Sequence, residues 1–280
     1  MLPLDKSKDT STWRALEGML STDGSLLGFG ADFVHPYPKP LPSNLHFRLA
    51  SAWRLEHPGL WEKYAAAQQQ VLRDMKRLGK RASTTGLPTK TARSASGLPA
   101  SLLSESNENM LLHGTNPQVL LSILATGMNE RFSGSNRGTA FGDGSYLAED
   151  VGKSDQYVNL DARYEANSEL HKLLFSHTRH PGNIFYVLVC RVSLGQSVRT
   201  QERGRQAQIM GSGKPVFPIS FRELASVPDV SPPVHHHSLL VELGGRVHRY
   251  REFVVFHGEY IYPEYLLAIQ RFGGQQGPLG

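Results

Sequence analysis

The chain has 280 residues, 39% of them hydrophobic and 20% charged, with a formal net charge of +5. That is enough chain to bury a substantial core without cross-links, and the single cysteine, Cys190, excludes an intrachain disulfide and any zinc site built from cysteines. No apolar run nears the ~20 residues that span a bilayer, and Asp5 and Lys6 interrupt MLPLDKSKDT before a secretory core can form, so an intracellular protein, cytoplasmic or nuclear, with no membrane partner is the expectation.

Residues 1–44 read as an irregular extension with a short helix around STWRALEGML and a proline-rich HPYPKPLP. LHFRLASAWRL is a strand, and HPGLWEKYAAAQQQVLRDMKRLG a helix with Pro58 in its first turn and Gly79 at its stop. Trp61, Tyr64, Val71, Leu72, Met75 and Leu78 form its apolar stripe. From 79 to 108 the composition turns to Ser, Thr, Gly, Lys and Pro, which predicts a flexible insertion. NMLLHG is a buried strand that ends at a glycine turn, and Asn116 and Pro117 open a helix that Gly127 closes. A glycine-rich loop leads to a helix near DVGKSDQYV. NIFYVLVCRVSL is a strong buried strand, and SLLVEL, EFVVFHG and EYLLAIQ follow. Helices and strands do not alternate strictly, so the fold class is α+β with a mostly antiparallel sheet and flanking helices.

Some motifs fail on inspection. GSGKP at 211–215 lacks the first glycine and the hydroxyl residue of a phosphate loop, and no GxGxxG joins a strand to a helix, which speaks against hydride transfer. His235, His236 and His237 are consecutive on a proline-flanked loop, a poor spacing for ligands, so no metal is expected.

The chemistry lies in LLHGT at 111–115, FGDGSYLAEDVGKSDQY at 141–157 and REFVVFHGEYIYPEYLL at 251–267. With LEHPGLWEKY upstream, these segments resemble the catalytic domain of the poly(ADP-ribose) polymerase family, diphtheria-toxin-like ADP-ribosyltransferases with a His-Tyr-Glu triad, over about residues 45–270. The resemblance implies an N-terminal extension at 1–44, a catalytic domain at 45–275 containing the 79–108 insertion, and an ADP-ribosyltransferase fold with a split sheet. It also implies NAD+ as a consumed substrate in place of a cofactor. It places His113 on the 2′-hydroxyl of the adenine ribose and the Gly114 backbone and Ser154 hydroxyl on the carboxamide of nicotinamide. Tyr146 and Tyr157 would stack on the nicotinamide ring, and Glu252 would be the catalytic carboxylate. Thr115 stands where the family often has Ser and keeps a hydroxyl, and Leu147 stands where it often has Phe.

Elementary chemistry agrees with these roles. Ser154 and Tyr157 are three apart and share a helix face, and a flat aromatic amide needs ring faces and a paired donor and acceptor. Gly114 permits a close backbone approach. Nicotinamide leaves its ribose as a neutral molecule, so one carboxylate that stabilises an oxocarbenium-like sugar suffices. The leading expectation is transfer to protein side chains, as single units or short chains. Transfer to nucleic-acid ends, NAD+ hydrolysis and a silent NAD+- or ADP-ribose-binding module are the alternatives, and no feature of the sequence supports a nucleic-acid partner.

Overall fold

NIFYVLVCRVSL forms the centre of the fold. Its strand, Phe185–Ser193, is buried at every position, and its side chains alternate between two apolar layers, with Tyr186, Leu188, Cys190 and Val192 in one and Phe185, Val187 and Val189 in the other. The computed structural model describes residues 1–29, 39–40, 45–83, 88–129, 139–245, 247–273 and 278–279. In chain order the elements are β1 (Leu2–Pro3), α1 (Thr10–Gly18), β2 (Gly28–Phe29), β3 (Lys39–Pro40), β4 (Leu45–Arg54), α2 (Pro58–Leu78), α3 (Ala92–Ala95), β5 (Glu108–Thr115) and α4 (Pro117–Thr126). There follow β6 (Ser145–Ala148), α5 (Val151–Ser154), α6 (Glu169–Phe175), β7 (Phe185–Ser193), β8 (Ser197–Thr200), β9 (Ser238–Val241), β10 (Glu252–Val255), β11 (Ile261–Gly273) and β12 (Pro278–Leu279).

The main sheet runs β1-β4-β11-β7-β5-β6-β10-β9-β8, with β12 on β11. Its ladders are antiparallel except for β8 beside β9, as the α+β reading expects. Between β5 and β6 the ladder is reduced to one pair, Leu112 opposite Ala148, so the sheet is split there. One layer on the β4–β5 half is covered by residues of α2, α4 and α6, including Tyr64, Leu120 and Leu174. The other is covered by Trp13 and Leu16 of α1, Ala95 of α3 and Val151 of α5. The β6–β8 half has a core of its own around Phe217, Leu239, Val254 and Phe256.

Several boundaries differ from the sequence reading, each for a physical reason. The buried face of α2 consists of Leu60, Tyr64, Val71, Met75 and Leu78. Trp61 is exposed and Leu60 takes its place beside Gly127, because the stripe is set by what packs on it: Leu60 and Tyr64 join the core of the sheet, while Val71, Met75 and Leu78 meet Val227 and Val234. The strand NMLLHG does not stop at its glycine but pairs on through Gly114 and Thr115, opposite Val187 and Tyr186. SYLA and SVRT are too short to show a period, and they form β6 and β8. Residues 1–28 do not lie apart from the catalytic region, since β1 pairs with β4 and α1 joins the second layer. Residues 84–87 of the expected insertion lie outside the described residues. The part from 88 to 108 is packed down, with Thr91, Ala95 and Leu98 buried and the Thr91 hydroxyl donating to the Met110 carbonyl at 2.5 Å. Its few apolar groups suffice because they complete a layer that the sheet supplies.

Candidate active site

The split between β5 and β6 opens a cavity of about 650 Å³. Its lining includes His113, Gly114 and Thr115 from β5, Tyr146 from β6, Ser154 and Tyr157 from α5 and the turn after it, and Glu252 from the first position of β10. Every residue singled out in the sequence therefore faces one space. Register explains the meeting: β10 pairs with β6 so that Glu252 lies opposite Ala148 and Val254 opposite Tyr146. Helix α4 contributes Gln118, Val119 and Ser122 to the wall, and Lys153 and Glu252 add charged groups.

His113 bridges the split. Its Nδ1 lies 2.9 Å from the Tyr146 carbonyl, and because a carbonyl only accepts, Nδ1 carries the proton and Nε2 keeps a lone pair. Burial pushes the His113 pKa below its ordinary 6.5, partly offset by that hydrogen bond, so the ring is neutral at pH 7. The Tyr146 hydroxyl accepts from the Phe141 N–H and donates to the Gly142 carbonyl, both at 2.8 Å. Burial raises its pKa well above the tyrosine range. The hydroxyl thus closes the 141–146 turn, and what Tyr146 offers the cavity is its ring. Tyr157 is half exposed at the mouth.

Ser154 is different. Its side chain is buried, and Oγ has no hydrogen-bonding partner among the described residues. Gly114 fixes the distance between β5 and this serine, because a Cβ there would stand 2.0 Å from the Ser154 carbonyl oxygen. The close approach that demands a glycine is thus to the protein's own backbone. Glu252 is also buried, and its Oε1 lies 3.0 Å from Nζ of the equally buried Lys153. The Lys153 ammonium stands 5.2 Å from the Tyr157 ring centroid. Lys153 is the site residue that sequence reasoning missed. Its signal was the lysine in GKSDQY, which looks like a solvated charge until α5 turns it inward.

Among the described residues, Asp161, His171 and His180 are the buried group able to approach a metal ion together. Nδ1 of each imidazole accepts a backbone N–H, from Glu165 at 2.8 Å and from Gly182 at 3.1 Å. Each Nε2 therefore holds the proton; that of His171 meets Asp161 at 2.7 Å, that of His180 lies 3.4 Å from the same carboxylate with no hydrogen bond formed among the described residues, and the Tyr186 hydroxyl donates to Asp161 at 2.8 Å. A ligating Nε2 would need the lone pair that this arrangement uses up, so the group is a hydrogen-bonded hub. His235 and His236 place Nδ1 on the Leu224 and Ala225 carbonyls, and the Nδ1 of His237 accepts the Gln196 N–H.

A mostly antiparallel sheet that parts in the middle, with a cavity in the gap, fits an ADP-ribosyltransferase fold. Residues 39–271 match the family model for the poly(ADP-ribose) polymerase catalytic domain, and the chain belongs to that family. It is an NAD+ ADP-ribosyltransferase, and NAD+ is its substrate. No helix among the described residues is long and apolar enough to cross a membrane.

Proposed function

We propose that the cavity between β5 and β6 is the NAD+ site and that the enzyme transfers ADP-ribose to protein side chains as single units or short chains. The observation that carries the site assignment is the buried Ser154 hydroxyl, without a partner among the described residues, next to Lys153 and the ion pair of Lys153 with Glu252. A buried hydroxyl without a partner costs ~1–3 kcal/mol, and a carboxamide would satisfy it. The nicotinamide ring then lies between the Tyr146 and Tyr157 rings, with its amide on Ser154 and the Gly114 backbone, beside the Thr115 hydroxyl. His113 accepts the adenine-ribose 2′-hydroxyl at its free Nε2, and the rest of the dinucleotide extends along α4.

In this reading Glu252 holds the 2′-hydroxyl of the nicotinamide ribose and stabilises positive charge as the C–N bond breaks and its electron pair goes to nicotinamide. The acceptor nucleophile bonds to C1′ and gives up its proton, which Glu252 can take. Lys153 fixes the carboxylate beside the ring of Tyr157.

Short products are supported by the loop beyond β8. Gly204 N–H donates to the Ala140 carbonyl at 2.7 Å, Asp143 N–H to the Phe221 carbonyl at 2.9 Å, and Arg222 pairs with Asp143 at 3.6 Å. The loop is thereby tied down against the turn before Tyr146, and we read this fixed loop as favouring a small acceptor over an ADP-ribose already attached. The test is incubation with labelled NAD+ together with protein mixtures, with oligonucleotides, or with neither. Label on protein as discrete bands on a denaturing gel is expected. Long ladders would overturn the short-chain reading, and label confined to oligonucleotides or free ADP-ribose would overturn the acceptor. Glu252→Gln should lower turnover by roughly a hundredfold or more while NAD+ still binds, and near-normal turnover in this variant would refute the role of Glu252.

A further inference from the structure

Helix α5 is a single turn of four residues, far shorter than a helix that holds itself, yet it and the turn after it carry Lys153, Ser154 and Tyr157. Its anchor is Asp150, which is 1% exposed. Asp150 Oδ1 accepts the Gly152 N–H at 2.9 Å, capping α5, and also the Thr22 hydroxyl at 2.6 Å, while Oδ2 meets Lys90 Nζ at 2.5 Å. The cap is thus aimed by side chains 128 and 60 residues away in the chain. Gly152 fits tightly against the same segment, since a Cβ would stand 2.4 Å from the Tyr250 hydroxyl, 2.9 Å from Leu27 Cδ2 and 3.0 Å from Thr22 Oγ1.

Residues 22–28 also grip the stretch that leads into Glu252. The Tyr250 hydroxyl donates to the Leu26 carbonyl at 3.0 Å, and Arg249 Nη1 donates to the Gly28 carbonyl at 2.9 Å. Arg251 adds a bidentate pair to Glu149 at 2.6 and 2.7 Å. One short segment therefore holds the residues that lead into both walls of the cavity, Asp150 and Gly152 just before Ser154 and Arg249 and Tyr250 just before Glu252.

We propose that Thr22 is a positioning residue and that residues 22–28 form a strap that sets the separation of α5 and Glu252. The proposal rests on the reading of the cavity as the NAD+ site. A mis-set separation is a geometric fault, which lowers turnover more than stability.

The experiment compares Thr22→Val, which keeps shape but loses the hydroxyl, with Thr22→Ser, which keeps the hydroxyl. Val71→Ala, in the core of α2, serves as a control for lost stability alone. Well below every Tm, Thr22→Val should lose roughly tenfold in kcat/KM, Thr22→Ser should return to near wild type, and Val71→Ala should lose Tm without losing kcat. Hydrogen exchange reads the strap without turnover: amides 151–157 should exchange faster in Thr22→Val and not in Thr22→Ser. Unchanged protection there, or equal activity loss in Val71→Ala and Thr22→Val at matched Tm loss, overturns the strap. A wild-type enzyme that releases no nicotinamide from NAD+ overturns the reading of the cavity instead, and the exchange result still stands on its own.

Discussion

Ser154 and His113 are single side chains held in states that the fold alone leaves incompletely used, which suits the ligand roles proposed for them. Because the Ser154 hydroxyl is buried without a partner among the described residues, Ser154→Ala should leave Tm unchanged or slightly higher. Loss of its hydrogen bond to the amide, ~0.5–1.5 kcal/mol, should raise KM for NAD+ by several-fold. Calorimetry and initial rates on the same preparations check both halves. His113 is depressed below 6.5 by burial, so between 6.5 and its folded pKa the unfolded chain binds the proton and the folded chain does not. Its stabilising contribution is present above 6.5 and is lost as pH falls through that window. His113→Gln should therefore flatten the acid fall of Tm, in part only, since burial also depresses His180, His236 and His237. An unchanged slope would show that His113 is not neutral in the fold. At this scale the motifs named His113, Ser154, Tyr157 and Glu252 from the sequence alone, because each sits in a local pattern. Lys153 was hidden, because only the direction of α5 separates a buried ion pair from a solvated charge.

At the scale of elements the decisive contact is β5 against α5. Gly114→Ala puts a methyl where the Ser154 backbone stands, 2.0 Å from its carbonyl oxygen. Neither neighbour is a flexible side-chain end, so α5 must shift. We expect a stability loss of about 1–3 kcal/mol and near-complete loss of turnover, read by denaturant unfolding and by nicotinamide release. A variant with wild-type activity would mean that β5 does not set the height of α5. Long, periodic elements were legible: α2 with Pro58 and Gly79 at its ends, α4 with the Asn116 cap, and β7 with its apolar run from Phe185 to Cys190. Short ones were not. β6 and β8 have four residues each, too few to show alternation, and they form only because β10 and β9 offer ladders. The register that brings Tyr146 beside Val254 is likewise a property of strand pairing that no local pattern encodes.

In the whole molecule, the proposed site depends on a sheet that is continuous in order but joined at its middle by the single pair Leu112–Ala148. One apolar layer runs across both halves, with Leu147, Leu240 and Phe253 packed in the same cluster as Leu111 and Leu188, the β6–β8 half has a further core on its other face, and the cavity lies where the ladders part. Composition and element order reveal the α+β class, and the motifs reveal the family. The sequence conceals that residues 1–28 and 88–108, weak in apolar content, complete the layer behind α5. Their burial depends on a face supplied from elsewhere in the chain, so a reading confined to local composition assigns them to the surface. The central claim is that this gap binds the nicotinamide end of NAD+. A crystal structure with a small aromatic carboxamide bound tests it most directly. The ring should lie between Tyr146 and Tyr157 with its amide within hydrogen-bonding distance of Ser154 Oγ, and affinity should be lower by ~1–3 kcal/mol in Tyr157→Ala. A carboxamide bound elsewhere, or unchanged affinity in the folded variant, would contradict it.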